Sequence, residues 1–203
     1  MPRISTDAIY DIVGSIYEAA YDARNWEKAI ARIHAAFDCS RACILVLSPE
    51  KPRTITTIDD PEFTSPESMA AHSRDPFLAA ALAPSVGRLY RSEEVIDMAA
   101  FRRRELWNEW MRPRDMWDSL SCNLRSDDRQ HWSVHLHRGR RQAAFADEET
   151  RAFRICLDHM LRASAIARQI EDASVFGDLF ANLPMGVAIV DSQMRIEYLN
   201  PAS

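Results

Sequence analysis

Apolar positions recur with helical spacing near the start of the chain and alternate with polar ones in its middle. Ile9, Ile12, Val13, Ile16, Tyr17 and Ala20 fall three and four apart, which predicts an amphipathic helix over residues 6–21. Trp26, Ala29, Ile30, Ile33 and Phe37 repeat the pattern behind Asn25, a residue type suited to a helix N-cap. The continuous apolar run Ala42-Cys-Ile-Leu-Val-Leu47 predicts a buried central strand. Pro49 and Pro52 mark a turn, and residues 53–58 suit a weaker hairpin partner. Residues 61–68 read as a loop. Short helices are expected over 68–73 and 76–82, the second with Pro76 in its first turn, where a missing N–H costs little. A strand follows over 86–90, and Asp97 caps a helix over 98–111.

Two segments then alternate with period two. In the first, Leu120, Cys122 and Leu124 oppose Ser119, Ser121 and Asn123. In the second, Trp132, Val134 and Leu136 oppose His131, Ser133, His135 and His137, and residues 125–130 make a polar hairpin loop. Behind Asp147, Phe153, Leu157, Met160 and Leu161 stripe a long helix that runs on past Ile170. At the end, residues 187–190 and 195–199 flank the polar turn Asp191-Ser192-Gln193, and Asn200 sits where a further helix would be capped. Strands joined by hairpins, with helices to one side, define an α+β domain around an antiparallel sheet.

Composition narrows the function. The chain has 203 residues, 47% of them hydrophobic, enough for a substantial core. A net charge of −5 disfavours nucleic-acid binding by this chain itself, which needs clustered cationic charge. There is neither a long apolar span nor the apolar core of a secretory signal, so a cytoplasmic chain with no membrane partner is expected. Cys39, Cys43, Cys122 and Cys156 lie in apolar contexts and are expected to be reduced and buried. No Gly-x-Ser-x-Gly, Walker A or His-Glu-x-x-His pattern occurs, so no catalytic residues are assigned and the chain is not expected to be an enzyme.

Several phrases, taken in order, resemble the GAF-like N-terminal sensor of bacterial LuxR-type transcriptional regulators. They are Ile16-Tyr17-Glu18-Ala19-Ala20 with Trp26-Glu27-Lys28-Ala29-Ile30, then Arg74-Asp75-Pro76-Phe77, then Gly87-Arg88-Leu89-Tyr90-Arg91-Ser92-Glu93-Glu94-Val95. Leu106-Trp107-Asn108-Glu109-Trp110-Met111-Arg112-Pro113, Trp132-Ser133-Val134-His135-Leu136-His137-Arg138 and Phe145-Ala146-Asp147-Glu148-Glu149 complete the series. The closing hairpin resembles the opening of a PAS sensor domain. The resemblance implies a GAF-like domain over 1–165, a linking signalling helix over 166–178 and an incomplete PAS-like domain over 179–203. It also implies a dimer that binds DNA only through a C-terminal helix-turn-helix not present in these residues. The input module of a signalling enzyme, such as a histidine kinase or cyclic-dinucleotide enzyme, is compatible with the same order. Asp75-Pro76 matches a dipeptide of acyl-homoserine-lactone sensors, whereas the preceding residues 66–73 lack the Trp and Tyr found there.

In a GAF-like fold one sheet face packs on helices and the other floors a ligand pocket. That reading assigns Ser119, Ser121, His135 and His137 to the pocket floor, offering hydroxyls and imidazoles to a small-molecule effector. The same alternation also suits a solvated sheet face. Trp107, Trp110, Tyr90, Phe77 and Asp75 are further candidates for its walls. Trp107 and Trp110, three apart, would share a helical face, one serving the core and the other the pocket. His131, His135 and His137 do not complete a metal-ligand set by spacing, so no metal site is assigned and no cofactor is identified. Arg102-Arg103-Arg104 and Arg138-Gly139-Arg140-Arg141 read as solvated surface. The long helix, with Phe153, Leu157, Met160, Ser164 and Ala167 at spacings of four and three, offers a seam for a homodimer in which the first helix also takes part.

Overall fold

The computed structural model describes residues 4–48, 52–58, 60–65 and 76–202. They fall into two compact units, residues up to 164 and residues from 165 on. In the first unit, α1 (Thr6–Tyr21) and α2 (Trp26–Ala36) precede strands β1 (Arg41–Leu47) and β2 (Arg53–Thr56). Short helices α3 (Pro61–Thr64) and α4 (Pro76–Leu82) lead to β3 (Leu89–Arg91). Helix α5 (Met98–Phe101), a π-helical turn (Leu106–Met111) and a 3-10 turn (Arg112–Arg114) lead to β4 (Asp118–Ser126) and β5 (His131–Arg138). The 35-residue helix α6 (Asp147–Ala181) begins in the first unit and ends in the second.

The five strands form one antiparallel sheet in the order β2-β1-β5-β4-β3. The α+β class and the pairing of the two alternating segments agree with the sequence. Leu120 pairs with Leu136 and Cys122 with Val134, while Ile44 pairs with Val134 from the other side. Directly opposed residues share a face, so these apolar side chains make one continuous surface. Helices cover it: Trp26 of α2 meets Trp132 edge-on at 6.1 Å, and Phe37 meets Phe153 of α6 at 5.5 Å. Ser164 donates to the Leu124 carbonyl, and Tyr17 Oη lies 3.0 Å from His159 Nδ1, joining α6 to β4 and to α1.

Five local readings change in the first unit. Residues 61–64, expected to be part of a loop, form α3, with Asp60 as its cap and Pro61 in its first turn. The expected helix over 98–111 is interrupted, because Asn108 Nδ2 donates to the carbonyls of Arg102 and Arg104 and draws that segment into a turn. Its second half winds as the wider π form. Asn25 makes no capping bond to α2; its amide instead reaches the Glu18 carbonyl, and Asp22 caps the intervening 3-10 turn. The strand expected over 86–90 starts at Leu89, since Gly87 takes φ 82° to donate its N–H to the Asn123 carbonyl. Arg138 is fully buried rather than solvated, bonded to the Asp38 carbonyl and Glu149 and lying 4.5 Å over Phe145. The helix expected over 68–73 lies outside the described residues.

The second unit contains the antiparallel hairpin β6 (Ala188–Val190) and β7 (Ile196–Leu199). Asp191 accepts from the Gln193 and Arg195 amides and shapes its turn. Asn200 closes the base, accepting from the Val187 amide and donating to the Met185 carbonyl. It therefore serves the hairpin here rather than capping a helix.

Candidate functional site

The second face of the sheet is covered as well. Cross-strand pairing sets two transverse rows on it, Arg41–His137–Ser119 and Cys43–His135–Ser121–Tyr90. Each histidine is held by a serine on the neighbouring strand: His137 Nδ1 lies 2.9 Å from Ser119 Oγ, and His135 Nδ1 lies 2.9 Å from Ser121 Oγ. Ser133 Oγ takes the other nitrogen of His135 at 2.8 Å. The two imidazoles stand nearly parallel, 10° apart with centroids 6.2 Å apart. Burial presses both towards the neutral form, lowering His135 to about 4 and, with help from His135 and Arg41, His137 to about 3.

Above this floor lies a cavity of about 80 Å³. Its roof and walls are apolar. Phe63 of α3 stacks on Trp110 at 4.6 Å and 16°. Leu45, Leu106, Met111 and Met116 complete much of the lining. The polar floor also ties down the wall. Asn123 Nδ2 donates to the carbonyls of Leu82 and Pro84, and Tyr90 Oη donates to the Ala81 carbonyl, so the end of α4 is fastened to β3 and β4. Asp60 fastens α3. It caps that helix through the Phe63 amide and accepts from Arg41 at 3.2 Å and Arg114 at 2.8 Å. Burial opposes its charge, but those hydrogen bonds and the two guanidinium charges hold the Asp60 carboxyl below the usual range.

The candidates named from sequence distribute as follows. Ser119, Ser121, His135, His137, Tyr90 and Trp110 line the cavity. Trp107 does not. It is buried against Phe101 and edge-on to Trp117 at 5.2 Å, because the π-helical turn separates it from Trp110 by more than an α-helix would. Asp75 lies outside the described residues, and so does the Phe77 side chain. Missed were the apolar lining residues of β1 and the partners Arg41 and Asp60. Their signal was the uninterrupted run Ala42–Leu47, since a strand apolar at every position needs cover on both faces. Among the described residues no group of three His, Cys, Asp or Glu could hold a metal ion. The four cysteines are free and buried, and burial pushes their thiols up, to about 12 for Cys43 and about 11 for Cys122. They are not poised as thiolates.

No family profile matches the sequence, and no curated protein matches it. Among solved structures the chain is similar to the ligand-binding domain of VqsR from Pseudomonas aeruginosa, with a TM-score of 0.61 at 15% identity. The similarity covers 79% of this chain and 96% of that one. Identity this low establishes a shared fold. Among the described residues no helix is long and apolar enough to cross a membrane.

Proposed function

We propose that this chain is the small-molecule-sensing module of a LuxR-type transcriptional regulator, with a GAF-like first unit and a PAS-like second one. The observation that carries the reading is the cavity between the Ser/His face of the sheet and the short helices. Apolar walls with a few convergent polar groups are what a ligand pocket requires. The fold shared with the VqsR ligand-binding domain supports the same role. An effector would act by binding one arrangement of α3, α4 and α6 better than another. Any contact with DNA would belong to another domain of the regulator.

Dimerisation belongs to the same reading, with its seam moved along α6. Phe153, Leu157 and Met160 are fully buried inside their own unit and have nothing left for a partner. Ile170 is exposed, so a second copy would meet the helix beyond Ser164. Native mass spectrometry of the purified chain tests both parts. We expect a dimer that carries a small molecule released on denaturation. A ligand-free monomer whose melting temperature no metabolite library shifts would refute the reading.

A further inference from the structure

One ring nitrogen on the cavity floor is uncommitted, and a buried positive charge lies beside it. His135 uses both nitrogens, on Ser121 and Ser133. His137 uses Nδ1 on Ser119, and its Nε2 has no hydrogen-bond partner among the described residues, although the residue is buried and lines the cavity. His137 is the one hydrogen-bond partner of Ser119 Oγ among the described residues, and we take the hydroxyl as the donor of that bond. Nδ1 is then the acceptor and Nε2 carries the N–H. The floor thus offers a donor to the cavity.

Arg41 is the cross-strand neighbour of His137 and lies 4.4 Å over Phe63, which also lines the cavity. Its side chain is 5% exposed, and its Nε and Nη1 are buried donors without a partner. Among the described residues the charge around it does not balance. Arg41 and Arg114 are both buried and share Asp60, while the second carboxylate on Arg114, Glu62, is 78% exposed and answers water as much as the guanidinium. A buried cation with unspent donors calls for an anion.

We propose that the cavity takes a small carboxylate with a hydrocarbon body, its carboxylate accepting from His137 Nε2–H in the field of Arg41. This rests on the sensing function proposed above and names its ligand class. The hydrocarbon lies against Leu45, Leu106 and Met111. At about 80 Å³ the cavity is smaller than the roughly 150 Å³ that holds benzene, so the body is restricted to a short chain. Histidines kept neutral on the floor leave Arg41 as the source of positive charge, so charge recognition does not depend on their protonation.

The test is calorimetric titration of the full chain with propionate and butyrate, each against its neutral amide. Carboxylates are expected to bind more tightly than the amides by on the order of tenfold or more, as a charged hydrogen bond requires. R41M should remove that preference, and R41K should restore part of it. Nitrogen-15 spectra of the unmodified protein provide a readout independent of folding in the variants. Bound carboxylate should move the titration of His137 to higher pH, with Arg41, His135 and Asp60 as the neighbouring charges it works against. Equal binding of acid and amide, or a His137 titration unmoved by saturating butyrate, overturns the inference. If amides bind and carboxylates do not, sensing stands and the anion falls. If none of the four binds and the protein releases no small molecule on denaturation, both fall.

Discussion

Val134 on one face of the sheet pairs with Cys122 and Ile44; one residue along β5, His135 on the other face pairs with Ser121 and Cys43. Both residues are buried. On the helix side burial itself is the source of stability, at about 25 cal/mol per Å² of apolar surface. On the cavity side burial works against the imidazoles, and hydrogen bonds to Ser119, Ser121 and Ser133 offset the loss. A strand can therefore be enclosed on both faces for opposite reasons. The first face resists change in solution conditions, and the second is conditional on protonation and on what occupies the cavity.

The sharpest way to break this comparison is to remove the largest side chain from the helix face. Trp132→Ala should cost about 3–5 kcal/mol in urea unfolding at any pH from 6 to 8, as for other buried aromatics. A loss below about 1 kcal/mol would show that this face is not core.

The cavity face should instead declare itself through pH. The unfolded chain binds protons on His135 and His137 near pH 6.5, and the folded chain only near about 4 and about 3. The unfolded state therefore holds more protons in between, so stability is complete above pH 6.5 and falls as the pH drops. The slope should approach about 1.4 kcal/mol per pH unit for each histidine. Denaturation followed from pH 7 to 5 should show this loss, and a doubly substituted H135N/H137N chain should have a flatter profile. A wild-type profile as flat as the variant's would mean that the imidazoles are not buried neutral.

Asp60→Asn leaves Arg41 and Arg114 without their shared counter-charge and should cost about 1–3 kcal/mol. Amide exchange should speed up in α3 while that in α2 stays unchanged. The smallest effect is expected for Ser119→Ala, about 1 kcal/mol for one hydrogen bond. Its ring signals should nevertheless report a change in the His137 tautomer. Unchanged ring shifts would contradict the assignment of the proton to Nε2.

The architecture was legible because period two and period 3.6 are strong signals. The alternations in β4 and β5 were enough to give their pairing and which residues share a face. The helix of Asn108 was not legible, because nothing in apolar spacing reveals that one amide will take two carbonyls from the chain before it. Six of the nine candidate residues line the cavity, and all of these but Trp110 have neighbours set by strand register. Trp107 packs in the core and Trp110 lines the cavity, a division that spacing suggested without saying which residue would take which place. Asp60 and Arg114 are 54 residues apart, a separation that local pattern cannot bridge. Asp60 directly precedes the segment read as loop and has no partner that spacing identifies.

Asp60 also has a bearing on time. The same carboxylate begins α3, grips β1 through Arg41 and grips the end of the cavity wall through Arg114. A molecule whose way out ran past Phe63 would wait until these contacts part together, however weakly it is held inside. Its dwell would then follow the opening of α3. A domain so built would keep a record of an encounter after the surrounding concentration has fallen, and a single substitution at Asp60 would shorten that record.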